Sequence, residues 1–450
     1  MLSGVLLRPL LPIDETRYVS VAWEMWLSGD YFVPTKNFEL YSHKPPLLFW
    51  LINLSWGLTG VTEFAARLIG PAFGVGTVAL TGMLARRLWP NDQGVGHRTM
   101  LALSGMTLFA VFAGLTMFDA LLAACVVAAM LALLNAARTG NAWWWVVLGC
   151  CLGAGILAKG PVMLLHVVPV ALAMPFWFRP NEGARPLSLR RSVGGTGLAL
   201  LVTLAVISLW LVPALMRGGP DYREAILWGQ TAGRITQSFA HAQPWWFYTV
   251  CLPAFLFPWF WMPSLWKTAR FEDWRETGLR LALVWSGSAL VLFSFISGKQ
   301  IYYLLPEMPA LALIAGRLLR QPKTRKWAPA IMGVVPIVVA NLVFGVTELR
   351  SIHSAEPIAE VIAPAEDDGI AFLGNYHAQF NFAGRLKRPV AEVHGTEELA
   401  QWMNTHPGGL LVGKLNRGPD DWAPQTTIDF RGSPYGIWAV SDAPKADAQP

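Results

Sequence analysis

Charge is what this sequence has least of: only 14% of its 450 residues are Asp, Glu, Lys or Arg, where soluble domains carry roughly 25%. With 54% hydrophobic residues and a positive mean hydropathy, the chain has too little polar surface to cover a water-soluble core, so lipid must do part of the solvating. Cysteine is scarce as well. Cys125, Cys150, Cys151 and Cys251 fall in or beside apolar segments without metal-ligand spacing, which leaves no disulfide framework and reads as core filling. Acidic residues are outnumbered by basic ones, giving a net charge of +6. That excess does not mark a nucleic-acid groove, because the basic residues sit in short clusters between apolar runs, a pattern that sets membrane topology. Also missing are the matching broken helices of two repeated halves that transporters show. A lipid or sugar transporter or flippase is therefore the alternative reading.

What the sequence does have is long apolar runs, near 68–85, 100–118, 120–137, 142–158, 161–178, 195–216, 246–266, 281–297, 302–319 and 327–346. Each approaches the ~20 residues that a helix needs to cross a bilayer. Arg86, Arg87, Arg98, Arg138, Arg179, Arg185, Arg190, Arg191, Lys267, Arg270, Arg275, Arg280, Arg317, Arg320, Lys323, Arg325 and Lys326 fall in alternate connections, which the positive-inside rule places in the cytoplasm. The region 1–67, the turns near Asp119, Lys159 and Lys299, the loop 217–245 and everything after 347 then face outward. The run from Pro45 to Gly60 is short and opens on a Pro pair, so it reads as an interfacial helix with Trp50 and Trp56 at headgroup level. Residues 348–450 have ordinary polar content and strand-like runs at Ile370–Leu373, Gly409–Val412 and Ile437–Val440, the pattern of a small outward α/β domain. The tail from Ser441 is Ala-, Asp- and Pro-rich and reads as disordered. The expected architecture is a polytopic α-helical membrane protein of about ten to eleven transmembrane helices. Residues 1–347 form its membrane domain, with a first outer loop over 8–67.

That loop holds Asp14, Glu15, Arg17, Tyr18 and Glu24, then the string from Tyr41 through Ser42, His43, Lys44 and Pro45 to Pro46. The string DETRYVSVAWEMWLSGDYFVP, followed by YSHKPPLLFW and FAARLIG, resembles the opening of the aminoarabinose transferase and protein O-mannosyltransferase group of GT-C glycosyltransferases. FDALL at 118–122, ILAKGP at 156–161, HAQPWWFY at 241–248 and SGKQIYYLLPEMP at 297–309 follow in the order of that family.

The resemblance implies inverting transfer of a sugar from a polyprenyl-phosphate donor to an envelope acceptor, such as lipid A, another glycan or a protein. It places this at the outer face of a bacterial inner membrane, and no nucleic acid is involved. Transfer without a covalent intermediate needs a base on the acceptor hydroxyl, and Asp14 stands at the family's first-loop acid. Glu15 is its neighbour. Asp119 lies at a junction of apolar runs, where a charge is costly unless it faces a cavity or a partner, and the family has a second acid there.

A departing lipid phosphate needs cations and hydroxyls near the headgroup plane. Lys44 of the Lys-Pro-Pro motif heads that set, with Lys159, Lys299, Tyr302, Tyr303 and Arg234 as further donor-phosphate candidates. His43 stands where aminoarabinose transferases carry Glu; it and His241 are the candidate ligands if a divalent metal takes part. The family also places a full transmembrane helix before its acidic pair, and the residues ahead of Asp14 are too short to supply one.

Overall fold

The computed structural model describes residues 1–179, 189–229, 242–319 and 327–444. Among these residues, six helices are long and apolar enough to cross a bilayer: Glu63–Leu88, Phe118–Thr139, Ala142–Lys159, Arg190–Arg217, Thr277–Phe295 and Trp327–Val346. Each coincides with an apolar run of the sequence. The remaining runs are interrupted. The run 100–118 divides at Gly105 into helices Val95–Ser104 and Thr107–Phe112, and 161–178 gives Val162–Leu172 followed by the single turn Met174–Trp177. The run 246–266 becomes Phe247–Phe255, the 3-10 turn Trp259–Trp261 and Pro263–Ala269, while 302–319 opens as the 3-10 stretch Ile301–Glu307 before Met308–Leu318. Hydropathy registers apolarity alone. Pro258, Pro263, Pro306 and Pro309 each lack a backbone donor and crowd the preceding turn, so a window average passes over breaks that the backbone cannot.

The chain divides into two compact units. The first comprises Met1–Gly4, Ser42–Leu48 and Leu68–Ala340. Its centre is an antiparallel helical hairpin. Phe118–Thr139 ends at Gly140, which takes the left-handed φ of 64° and donates its N–H to the Ala136 carbonyl, the C-cap role for which glycine has no Cβ penalty. Asn141 then caps the returning helix Ala142–Lys159 by accepting the Trp143 N–H at 2.9 Å. Gly149 on the return helix lies so close to the next helix that a Cβ there would meet the Ala199 carbonyl oxygen at 2.5 Å, a small-residue contact that lets helix backbones approach.

Arg317, expected in a solvated basic loop, is instead 8% exposed. It donates to Glu276 through Nε (2.8 Å) and Nη2 (2.6 Å) and pairs with Glu272 at 3.1 Å. A buried cation persists only with such compensation.

The second unit comprises Val5–Tyr41, Phe49–Arg67 and Asn341–Pro450. It contains a short antiparallel hairpin of β1 (Thr35–Lys36) and β2 (Glu39–Leu40). A five-stranded mixed sheet is built from β3 (Ile370–Leu373), β4 (Ala391–Val393), β5 (Leu410–Lys414), β6 (Thr426–Phe430) and β7 (Ser433–Ala439) in the order β4-β3-β5-β7-β6. β3 runs parallel to both its neighbours and β7 antiparallel to both of its own. The three strand-like runs of the sequence are the three central strands, and Phe372, Phe380, Phe430, Tyr435 and Ile437 pack on one face. Of the polar tail, residues 445–450 lie outside the described residues.

Helix Asp14–Ser28 is stitched into this unit by hydrogen bonds to residues far along the chain. The Ser20 hydroxyl donates to the Ala378 carbonyl (2.7 Å), the Trp23 indole donates to the Leu386 carbonyl (2.8 Å), and Asn37 exchanges two bonds with the Val390 backbone. Glu24, 1% exposed, accepts from the Thr35 hydroxyl, the backbone N–H groups of Asn37 and Phe38, and the Asn381 amide. Burial raises its carboxyl above the ordinary value against the opposing pull of these donors.

Trp56 corrects an expectation. It is 1% exposed, stacks on Phe382 with ring centroids 5.4 Å apart, and donates its indole N–H to the Thr62 carbonyl. It is a core residue of this unit and not a headgroup-level anchor. The Trp50 indole likewise donates to the Tyr31 carbonyl, at 2.6 Å.

Candidate functional site

The hairpin of the first unit explains why Asp119 and Lys159, forty residues apart, meet. Asp119 lies in the first turn of Phe118–Thr139 and Lys159 is the last residue of Ala142–Lys159. Two antiparallel helices of similar length bring these ends together, and each charge suits its helix terminus, the acid at the positive end and the cation at the negative end. The Lys159 ammonium donates to the Asp119 carboxylate, with side chains 11% and 3% exposed.

Two aromatic rings complete the enclosure: the Lys159 ammonium lies 4.4 Å from the Tyr303 ring centroid and 5.5 Å from that of Tyr302. Tyr302 packs against Tyr303 at 5.3 Å and against Phe112 at 5.6 Å. The Lys44 ammonium lies 5.6 Å from the ring of Phe118, the residue next to Asp119, and its side chain is half-buried. Five sequence candidates, Lys44, Asp119, Lys159, Tyr302 and Tyr303, therefore form one neighbourhood in this unit. Cations with phenol hydroxyls beside them can hold a phosphate whose charge grows as a bond to it breaks, and the Asp119 carboxylate fixes the Lys159 ammonium.

Lys299 behaves differently. It is 4% exposed, and its ammonium donates to the backbone carbonyls of Gln243 (2.8 Å) and Ile296 (2.6 Å), beside the bridge of Ala242 with Gly298. Those bonds fasten two loop segments to each other. Arg234 and His241 lie outside the described residues.

The second unit holds Asp14 and Glu15. Asp14 is the first residue of helix Asp14–Ser28, with a side chain 41% exposed. Its Oδ1 accepts from the Arg17 guanidinium and from the Tyr18 hydroxyl (3.4 Å), so the carboxylate turns to its own helix face and does not cap the backbone. Among the described residues Oδ2 has no hydrogen bond. Burial works against the Arg17 charge, but Tyr18, Tyr41 and Asp14 beside it hold the guanidinium above its ordinary value. The arrangement is a carboxylate with one oxygen anchored and one available.

Glu15 is 2% exposed; it accepts from Arg8 (2.6 Å) and from the Leu11 N–H (3.0 Å). Arg67, from the FAARLIG string, donates to the Arg8 carbonyl and to Glu63 at 2.9 Å. Glu15 therefore belongs to a buried charge network that fixes the start of the helix carrying Asp14.

His43 is exposed, and among the described residues no three His, Cys, Asp or Glu side chains come together to hold a metal ion.

Reading the sequence alone misses two features. Arg17 and Tyr18 read as ordinary loop polarity until the helix puts them three and four residues past Asp14. The pair of His166 and Glu307, with imidazole Nδ1 and carboxylate Oε1 2.5 Å apart, was signalled only by an ionisable residue inside each of two apolar runs.

Residues 43–212 match the family model described as dolichyl-phosphate-mannose-protein mannosyltransferase. The chain is 32% identical over 335 residues to an undecaprenyl phosphate-alpha-4-amino-4-deoxy-L-arabinose arabinosyl transferase of Pseudomonas fluorescens, covering 71% of this chain and 59% of that one. It is 28% identical over 403 residues to the transferase of the same description from an Enterobacter species, covering 83% and 69%. The chain thus spans little more than half the length of most of the curated relatives it matches. The crystal structure of ArnT from Cupriavidus metallidurans bound to undecaprenyl phosphate superposes with a TM-score of 0.73 at 18% identity, covering 98% of this chain and 96% of that one. The motif order and the family-model match agree that the chain is similar to the aminoarabinose transferase and protein O-mannosyltransferase group, and its fold is that of the matched membrane transferase.

Proposed function

We propose that this protein transfers a sugar, with inversion, from a polyprenyl-phosphate donor to lipid A or another glycan or protein acceptor at the outer face of a bacterial inner membrane. The observation that carries the reading is the Lys159 ammonium held by Asp119 and walled by Tyr302 and Tyr303, with Lys44 in the same neighbourhood. It is joined by the relatives' named use of an undecaprenyl-phosphate-linked aminosugar. In this reading Lys159 and Lys44 hold the donor phosphate and the tyrosine hydroxyls add donors as the leaving group gains charge. Asp119 keeps Lys159 oriented, and Asp14 takes the acceptor proton through Oδ2. Arg17 and Tyr18 keep the other Asp14 oxygen in place. Lys299 and the Glu15 network hold loops and a helix start. A flippase would need none of this one-sided acid and cation chemistry.

The decisive test is mass spectrometry of envelope lipids and glycoproteins from a deletion strain, its parent and the complemented strain. The deletion is expected to remove one glycosyl mass from an envelope acceptor and to enlarge the pool of its polyprenyl-phosphate donor. Unchanged acceptors together with an unchanged donor pool would sink the reading.

The outward orientation rests on the charge alternation of the connections. A reporter enzyme active only in the periplasm, fused after Val346, is expected to be active. Activity of a cytoplasm-only reporter at that position would invert the topology and move the site to the wrong side for an envelope acceptor.

A further inference from the structure

Two ionisable groups of the first unit that take no part in the chemistry above, His166 and Glu307, form a buried pair. His166 is fully buried and Glu307 is 3% exposed. Each sits in an apolar run, and their bond joins segments that are 141 residues apart. Among the described residues, the second nitrogen, His166 Nε2, and the second oxygen, Glu307 Oε2, have no hydrogen-bond partner. An ionisable pair in such surroundings is costly and does little for stability beyond what an apolar pair of similar volume would do. Its placement points to another use.

His166 lies seven residues after Lys159, on the short helix Val162–Leu172 that follows the turn at Gly160 and Pro161. Glu307 closes the 3-10 stretch Ile301–Glu307, four residues after Tyr303 and five after Tyr302. The bond between them therefore ties the segment that follows the cation to the segment that carries its aromatic wall. Phe293 fills the space between. Its ring lies 5.2 Å from the imidazole and 6.4 Å from the Tyr303 ring, so a shift of His166 or Glu307 passes to Tyr303 through a packed ring as well as along the backbone. The 3-10 stretch has weaker intrinsic geometry than an α-helix, and Pro306 within it lacks a backbone donor, so the stretch depends on a tether from outside.

We infer that the His166–Glu307 hydrogen bond is a positioning device, which sets Tyr302 and Tyr303 against the Lys159 ammonium and thereby tunes affinity for the phosphate of the donor. The second half of the inference rests on the functional reading above; the first half does not, and the two are separable by experiment.

The geometric half is read by 19F NMR of purified protein carrying 3-fluorotyrosine, with the resonances of Tyr302 and Tyr303 assigned from Tyr302→Phe and Tyr303→Phe. His166→Ala and Glu307→Ala are expected to shift or broaden both resonances, and the double variant to resemble the singles because one bond serves both. Glu307→Gln keeps an acceptor oxygen for the imidazole and is expected to restore the parent spectrum, which separates the role from general loss of packing. If the alanine variants do not fold, His166→Gln and Glu307→Gln carry the test: a lengthened or lost bond in His166→Gln must move the tyrosine signals and Glu307→Gln must not. Unmoved tyrosine signals in folded His166→Ala or His166→Gln would overturn the inference.

The functional half is read by transfer kinetics with a polyprenyl-phosphate sugar in proteoliposomes. Donor KM is expected to rise about tenfold in His166→Ala with kcat changed less than about threefold. Moved signals with an unchanged donor KM in an active protein would overturn the link to the donor. Moved signals in the variants, with a parent that transfers no sugar, would leave the positioning standing and defeat the functional reading instead.

Discussion

Replacing Asp14 by Asn is expected to lower sugar transfer by about 10²–10⁴-fold, the range over which general base catalysis contributes, with protein level and thermal midpoint unchanged. The size of the effect follows from what the substitution keeps and removes. Asn retains an oxygen at the Oδ1 position, where the Arg17 guanidinium and the Tyr18 hydroxyl donate, so the first turn of helix Asp14–Ser28 keeps its side-chain contacts. It replaces the unbonded Oδ2 with an NH₂ group that cannot accept a proton. A carboxylate that serves only to neutralise Arg17 would respond differently, because a 41% exposed side chain paired at a helix surface contributes about 0.3–0.5 kcal/mol. On that account Asn would cost a little stability and no turnover. Single-turnover transfer with saturating donor separates the two, since it reports the chemical step without product release. Wild-type turnover in Asp14→Asn would remove Asp14 from the chemistry and leave it as Arg17's partner.

How far the site was legible in the sequence depended on distance along the chain and on periodicity. Asp119 and Lys159 stood out because each interrupts an apolar stretch, and a reader who folds the intervening segment into two equal antiparallel helices can bring them together from the positions of Gly140 and Asn141 alone. Tyr302 and Tyr303 came from their motif, but their placement over Lys159 depends on the 3-10 stretch, which has no periodic signature. Glu15 and Lys299 read in the sequence as charged candidates, and only the packed structure shows the carbonyls, amide and guanidinium that occupy them. Within the second unit the bonds of Ser20, Trp23, Glu24 and Asn37 to residues 353 to 363 positions later are invisible to any local pattern. The four broken runs fail for a related reason: hydropathy is a window average, while a helix is broken by single residues such as Pro258 and Gly105.

Lys44→Ala is expected to weaken donor use by about 10²-fold in kcat/KM, with Lys44→Arg recovering only part of the loss. The Lys44 ammonium lies 5.6 Å from the Phe118 ring, beside the acid that holds Lys159, so its charge adds to a second fixed cation. A leaving phosphate gains negative charge as the sugar departs, and a cation fixed there lowers the barrier by more than it tightens ground-state binding. Both kcat and donor affinity are therefore expected to suffer, kcat more. Arginine keeps the charge but carries it on a planar fork with a different reach, whereas the ammonium is a compact point charge. A lysine that merely snorkels to the headgroup plane predicts a different ordering. Arginine would then serve fully, and alanine would reduce insertion while leaving the inserted molecules with parent kinetics. Donor titrations on Lys44→Ala and Lys44→Arg, corrected for correctly inserted protein, distinguish these accounts. Parent kcat and donor KM in both would take Lys44 out of the phosphate site and leave Lys159, with its aromatic walls, as the cation on which departure of the lipid phosphate depends.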